Sequence, residues 1–595
     1  MIPPARREAL PSGAIMLIWL AAALLALVAN WSMLGPAHFG DGDDALRLQQ
    51  VRDLLAGQGW YDLTQHRIAP PGGVPMHWTR VVDLPLALVI VLLRPLIGMA
   101  QAESAALALV PLLTLLCAML LAARLAAHRL GRRAAIVAAV LVLAAFPASL
   151  RMMPLRIDHH GWQFVLALLA LNGMAARSAR AGGALAGLAL ALSLAISLEA
   201  LPLAVIFAAV CALRLLRGEP QWITAFLGLL AVASLALFAA TRGVVDLVDH
   251  CDALSPVHLA ALCWSALGTA LTLRGLRRWP PPVSVIALAL ALVALGAVAI
   301  LALRTPQCLG GDAFAALDPL VRKVWLGSVA EGLPVWRQDL AMAATITVLP
   351  LCGLFGCWRL WRAAPDASAR AWWADMAVLL GGATVIGLLV ARAAGVSCLF
   401  ATVPSAWLLG DLLARWQGER LMPRRMARAV GIVALVVPGA FAGMAASALA
   451  PLLSPRPMPR VAAVSAVPPC DFAAVVPALA RLPQTTVLSG LDIGPTILVT
   501  SRHAVVATAH HRASAAMRDA IVAFLGPDHG ARAIMARRGA ELVVVCPTGA
   551  EAMTYRRIAP DGFMAHLASG HAPDWLTPLP GVTHGGVRVW RVRGR

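Results

Sequence analysis

Charge is scarce in this sequence. Only 13% of its 595 residues are Asp, Glu, Lys or Arg, where a soluble domain carries about 25%. Hydrophobic residues make up 60%, so lipid solvates much of the chain. Tyrosine is nearly missing, at 2 residues, while Trp reaches 18. Many of the Trp sit at the ends of apolar runs, where an interfacial ring is comfortable. No CxxC spacing occurs among the ten Cys, so a cysteine-based zinc site is not expected. The net charge of +19 rests almost wholly on arginine. Those arginines lie in short loops between apolar runs, which marks membrane orientation and leaves no nucleic-acid partner expected. No small-residue cleavage site follows the first apolar run, so it is read as an uncleaved helix behind Arg6 and Arg7.

Apolar segments of spanning length recur at about 13–34, 104–126, 133–150, 161–176, 181–198, 200–217, 222–241, 256–273, 283–303, 340–361, 373–391, 395–414 and 428–450. The expected fold class is a polytopic α-helical membrane protein of about 13 transmembrane helices. Leu84–Met99, interrupted by Arg94-Pro95, is left out of the count. With the N-terminus in the cytoplasm, every cytoplasmic turn is then basic, as at Arg129 to Arg133 or Arg420 to Arg428. Counting it as a span would invert them all. It is expected to lie in or on the periplasmic face. The expected localisation is a bacterial inner membrane.

This parity makes residues 1–450 a transmembrane domain with external loops at 35–83, 151–160, 242–256 and 304–339. Residues 451–595 become a soluble periplasmic α/β domain behind a linker stiffened by Pro455, Pro457 and Pro459. Its expected strands are Thr485–Leu488, Ala504–Ala507, Glu541–Val545 and Val587–Val592, and its helices Phe472–Arg481, Ala513–Leu525 and Gly530–Arg538. Four Cys fall on the external side, where disulfides persist. The expected pairs are Cys251–Cys308 between two loops and Cys470–Cys546 within the domain.

The polar residues that bear chemistry gather in these loops. The first opens with Phe39-Gly-Asp-Gly-Asp-Asp-Ala-Leu-Arg47. Hard divalent cations want oxygen ligands, and Mg²⁺ takes one or two carboxylates plus substrate phosphate. The competing reading is an acidic turn in which Asp43 or Asp44 caps a helix starting near Ala45. The second loop carries Arg156-Ile-Asp158-His159-His160, again metal-ligand types or a polar helix cap. The fourth carries Glu331 alone in an apolar stretch, a costly placement unless it is paired or cation-bound. Arg392 ends a span on the same face, suited either to a phosphate or to a carboxylate partner. Together these suit a divalent cation beside a lipid-linked sugar phosphate, the cation screening charge on the departing phosphate.

The motifs resemble the catalytic subunit of oligosaccharyltransferases, within the C-type superfamily of membrane glycosyltransferases. Asp43-Asp44-Ala-Leu-Arg47 followed by Gly59-Trp60-Tyr61 resembles that family's first-loop aspartate motif, with Asp43 and Asp44 both candidates. Arg156-Ile-Asp158-His159-His160 stands where the family has its second acidic motif, and Ser328-Val-Ala-Glu331 is similar to its Ser-Val-Ser-Glu motif. The resemblance implies Mg²⁺ or Mn²⁺ held by Asp43 or Asp44, Asp158, His160 and Glu331, with Asp43, Asp44 and Glu331 as the catalytic carboxylates. It implies a polyprenyl-linked donor, whose phosphate would meet Arg392, Arg47 and Arg156. The family's Trp-Trp-Asp-Tyr-Gly motif, which reads the acceptor's Ser or Thr, is here Gly490-Leu491-Asp492-Ile493-Gly494. Donor chemistry is thus better supported than an Asn acceptor. Asp492, His510, His511 and Arg512 are the candidates for acceptor contact, or Asp492 caps a helix and the other three form a surface turn.

The reading is a glycosyltransferase moving a sugar or oligosaccharide from a polyprenyl phosphate or pyrophosphate carrier to a periplasmic acceptor. The acceptor is a protein, lipid or glycan. The alternatives are glycosylation of a lipid or surface polysaccharide, a non-catalytic relative, or a transporter. The near absence of charge inside the apolar runs, Glu199 being the doubtful case, argues against transport.

Overall fold

The computed structural model describes residues 9–276, 282–308, 314, 316–453 and 470–593. The Pro455–Pro459 linker lies outside the described residues, as do Arg6 and Arg7. Among the described residues, ten helices are long and apolar enough to cross a bilayer, or up to twelve if two bent pairs each count as one span.

Two expected spans are not single rods. The 133–150 run divides into Arg132–Ala144 and Phe146–Met152, bent by 66°, and the 428–450 run bends by 113° between Val436 and Pro438. Pro147 and Pro438 sit at these breaks. A proline there lacks the N–H that would continue the ladder and crowds the preceding turn. A third expected span, 161–176, forms the 15-residue helix His160–Met174. That is about 22 Å at 1.5 Å per residue, shorter than a bilayer core. Neighbouring helices bury almost all of it.

Small residues let the bundle close tightly. A Cβ on Gly182 would come 2.5 Å from the Gly173 carbonyl oxygen, and one on Gly187 would come 2.4 Å from that of Phe226. Helices His160–Met174, Ala179–Ile196 and Gln221–Thr241 therefore meet backbone to backbone, as small-residue faces allow in lipid.

Leu84–Met99 becomes the helix Asp83–Ile97, which is not among those of spanning length. It buries Leu86, Ala87 and Ile90 and leaves Leu84, Leu88, Leu92 and Leu96 exposed on an apolar face. Gly98, at φ 81°, turns the chain directly into Met99–Leu130.

In the first loop, β1 (Thr64–Gln65) and β2 (Val74–Pro75) pair antiparallel. The C-terminal part folds around five strands: β3 (Thr486–Ser489), β4 (Ala504–Val505), β5 (Ala540–Val545), β6 (Leu576–Pro578) and β7 (Arg588–Val592). Their order is β4-β3-β5-β7-β6. β3 lies parallel to β4 and β5, while β7 runs antiparallel to β5 and β6. Four strands follow the expected runs closely. β6, only three residues with Pro578 at its end, carries no alternation to announce it. Both expected disulfides are formed, Cys251–Cys308 and Cys470–Cys546.

The first loop and the C-terminal sheet form one body. Ile68 makes a parallel bridge with Val505, and hydrogen bonds flank it from Ala69 N–H to the Val505 carbonyl and from Val505 N–H to the Arg67 carbonyl, 2.9 Å each. The Arg67 guanidinium donates to the carbonyls of Leu498, Ser501 and His503. Helix Gly42–Leu55 packs on helix Gly494–Thr500 so closely that a Cβ on Gly42 would stand 3.1 Å from Pro495.

Candidate functional site

The site begins where helix Gly42–Leu55 begins. Asp41 is its N-cap and accepts the Asp43 N–H at 3.1 Å, so the helix starts before Ala45 and neither Asp43 nor Asp44 is the cap. Successive helical residues point about 100° apart, and the two aspartates separate accordingly. Asp44 is fully buried and turns to the second loop. Its Oδ1 accepts the N–H of Ile157 at 2.7 Å and of Asp158 at 2.9 Å, and its Oδ2 faces Arg156 at 3.2 Å. Asp43 lines a cavity of about 390 Å³ together with His159, His160, Glu199, Glu331 and Arg392.

Asp158 turns one oxygen to the N–H of His160 at 2.8 Å, fixing the start of helix His160–Met174. Its other oxygen lies 3.6 Å from both Arg151 and the His160 ring. Arg151 is the hub. Its guanidinium reaches Asp41 at 3.3 Å and Asp158 at 3.6 Å, and it pairs with Glu331. Three carboxylates from three loops thus share one arginine. Arg392 pairs with Glu199 at 2.6 Å and approaches Glu331 at 3.9 Å. The Ala391 N–H bonds the Leu333 carbonyl at 3.2 Å, tying the two turns together.

Negative charge is in excess here. Asp41, Asp43, Asp44, Asp158, Glu199 and Glu331 face the guanidiniums of Arg151, Arg156 and Arg392. Burial, and then the charges of Asp41, Asp158, Glu331 and Asp44, push the Asp43 carboxyl well above the usual range. Burial also raises Asp158, but His160, His159 and Arg151 outweigh it and hold the group low. Burial and the neighbouring His160 lower His159 to about 3, leaving a neutral imidazole. Oxygen donors with uncompensated charge fit a hard divalent cation. The expected set Asp43, Asp158 and Glu331 is not among the described clusters whose three ligand atoms lie within 4.8 Å of one another. His159, His160 and Glu199 are one such cluster.

Several expected site residues stand elsewhere. Arg47 is 1% exposed, bonds Asp83 at 2.8 Å and stacks on Trp78. It is a packing residue beneath the loop and does not line the cavity, so it stands away from the phosphate position expected for it. Arg156 sits between Asp41 and Asp44, at the rim of the carboxylate cluster. Arg512 is clamped by both oxygens of Asp252, at 2.7 and 2.8 Å, so it is not a free acceptor contact. His511 also bonds Asp252, at 2.6 Å. His510, 2% exposed, is no surface turn and lies 3.0 Å from His77. Helix Gly494–Thr500 starts from Ile493 without a side-chain cap, so Asp492 does not cap it. Asp492 is raised by burial and by Asp41.

Asp41, Arg151, His77 and Asp252 were missed as site residues. Asp41 stood in the quoted motif; the others have no local signal, since their partners lie far along the chain.

No protein-family model and no curated protein sequence matches the chain. Solved structures do. The archaeal oligosaccharyltransferase AglB from Archaeoglobus fulgidus, in complex with an inhibitory peptide and a dolichol-phosphate, matches with TM-score 0.64 and 15% identity, over 96% of this chain and 73% of that one. An Archaeoglobus fulgidus oligosaccharyltransferase tethered to an acceptor peptide with the NVT sequon matches with TM-score 0.60 and 14% identity, over 98% and 74%. One in complex with Zn and sulfate matches with TM-score 0.58 and 14% identity, over 97% and 73%. The chain has the fold of these oligosaccharyltransferases, as the resemblance of its motifs implied.

Proposed function

We propose that the chain is a membrane glycosyltransferase that transfers a sugar or oligosaccharide from a polyprenyl phosphate or pyrophosphate to an acceptor on the periplasmic face. The observation that carries this reading is the single cavity in which Asp43, His160, Glu331 and Arg392 meet. In the proposed reaction the acceptor attacks the anomeric carbon, the bond to the phosphate oxygen breaks, and the phosphate leaves with the electron pair. Asp43 orients the acceptor and takes its proton. Arg392, with Arg156 at the rim, faces the phosphate. Asp43, Asp158, His160 and Glu331 are the residues that would hold Mg²⁺ or Mn²⁺, which screens charge on the leaving phosphate. Asp44 acts by fixing the Asp158 backbone. The dolichol-phosphate and the Zn and sulfate of the structural neighbours support a lipid-phosphate donor and a metal.

A lipid or glycan acceptor is the reading favoured over an Asn-x-Ser/Thr peptide. A Cβ on Gly490 would lie 2.3 Å from a carboxylate oxygen of Glu551. Leu491 is 1% exposed. Glu551 therefore stands against Gly490, and neither Gly490 nor Leu491 offers a side chain that grips a hydroxyl, which leaves Asp492 alone for that contact. Purified protein, a lipid-linked donor and matched acceptors test both parts. Transfer cut by about 10²–10⁴-fold in Asp43→Asn, with no preference for Asn-x-Thr over Asn-x-Ala peptides, is expected. Efficient transfer to Asn-x-Thr alone overturns the acceptor reading. No transfer to any peptide, lipid or glycan acceptor overturns the enzyme.

A further inference from the structure

The three histidines His77, His510 and His511 form a nest that the proposed reaction does not use. Their ring centroids make a nearly equilateral triangle with sides of 5.1, 4.8 and 4.9 Å. One ligand nitrogen from each lies within 4.8 Å of those of the other two. Pulled inward by about an ångström, three such nitrogens reach the ~2.0–2.1 Å bond length of a zinc–imidazole site. The Nδ1 of His510 is buried and has no hydrogen-bond partner, an uncompensated cost in an interior.

The surroundings are those of a metal site. The Nε2 of His511 bonds Asp252 at 2.6 Å, which leaves Nδ1 for an ion and orients the ring. Asp252 is in turn held in the fork of Arg512 and follows Cys251 of the Cys251–Cys308 disulfide. Phe314 stands edge-on against His511, with centroids 4.9 Å apart. All three histidines face the same cavity as Asp43 and Glu331. An ion there keeps one coordination position open to whatever occupies that cavity.

We propose that His77, His510 and His511 bind a borderline transition-metal ion, Zn²⁺ by preference, at a site separate from the carboxylate cluster. Three nitrogen donors select such an ion over Mg²⁺, which prefers oxygen. His77 comes from the first loop and the other two from the C-terminal part, 433 residues away for the His77–His510 pair. The ion therefore staples the C-terminal sheet over the cavity. The site is independent of the transfer reaction proposed above.

The full chain in nanodiscs, stripped with chelator and held in millimolar Mg²⁺, is titrated with Zn²⁺ and separately with Co²⁺. One Zn²⁺ per chain is expected, with Co²⁺ giving visible d–d bands and no thiolate charge transfer. Asp43→Asn, Glu331→Gln and His159→Ala should keep this ion. His77→Ala and His511→Ala should lose it, and Asp252→Asn should weaken it by about 10–100-fold. The variants' melting temperatures in chelator check that they fold. X-ray absorption at the zinc edge of the wild type gives a readout free of mutation, with three imidazole shells expected. No stoichiometric Zn²⁺ in Mg²⁺ overturns the proposal, as does an oxygen-dominated shell. Loss of Zn²⁺ in Asp43→Asn or His159→Ala with retention in His77→Ala also overturns it.

Discussion

Arg151 and Glu331, 180 residues apart, are joined side chain to side chain. The same guanidinium serves Asp41 and Asp158. It occupies the charge-balancing role a divalent cation would take. Arg151→Gln is therefore expected to have opposite effects in two conditions. In chelator the variant loses stability on the order of 1–3 kcal/mol, the cost of leaving partly buried carboxylates without their donor. In Mn²⁺ the cation restores more stability than it adds to the wild type. Melting curves with and without Mn²⁺ decide it, and equal shifts for both proteins would sink the idea.

Asp43 and Asp44 should respond differently to the same substitution. Asp43→Asn is expected to cut transfer by about 10²–10⁴-fold, the range for a proton-transfer group, with the melting temperature unchanged. Asp44→Asn removes the charge that holds two backbone N–H groups and Arg156, costing about 1.5–3 kcal/mol of stability. Parallel measurement of turnover and melting separates them; the reverse pattern would reassign the two roles.

Glu551 links stability to pH. Burial, and then Asp492, raise its carboxyl to about 7 from 4.5. A raised carboxyl favours the folded state while protonated. Its contribution is full below about pH 4.5 and is lost as the pH rises through about 7. The difference in melting temperature between pH 5.5 and pH 8 should therefore shrink in Glu551→Gln. An identical pH slope in both proteins counts against the assignment.

The Cys251–Cys308 bridge fastens the residue next to Asp252 and joins positions 57 apart in sequence. In the chain-entropy account its loss costs about 4 kcal/mol. Cys251→Ser with Cys308→Ser should lower the melting temperature and speed proteolysis near Asp252. An unchanged cleavage rate would show that Arg512 alone holds that loop.

Some of the site was readable because polar residues stand out in an apolar chain. Glu331 and Arg392 each interrupt apolar sequence and both line the cavity, while Asp158 stands in a polar cluster and joins Glu331 through Arg151. The register within Asp41–Asp44 was not readable. Which aspartate faces the cavity depends on where the helix starts, and a start at Gly42 in place of Ala45 turns each side chain by about 300°. Arg47 misled for the same reason: it stands one turn after Asp43, which lines the cavity, while its own side chain bonds Asp83. Partners such as Arg151 and Glu331 meet only through the packing of separate helices. The bends at Pro147 and Pro438 were not readable, because hydropathy counts residues and is blind to a bend; with each bent pair taken as one span, up to twelve spans stand among the described residues.

The bridge between Ile68 and Val505 bears on how the protein is made. β4 is two residues long, and without Arg67–Ala69 its outer edge offers open N–H and C=O groups to any passing strand. The segment that covers it is synthesised long before it. Until Val505 is synthesised, Ile68 lacks this bridge. If the two ended on opposite sides of the bilayer, neither could be buried, and both would stay available to proteases and to aggregation. Correct insertion is thus the condition for a protected edge, so a wrongly threaded chain carries its own mark for disposal.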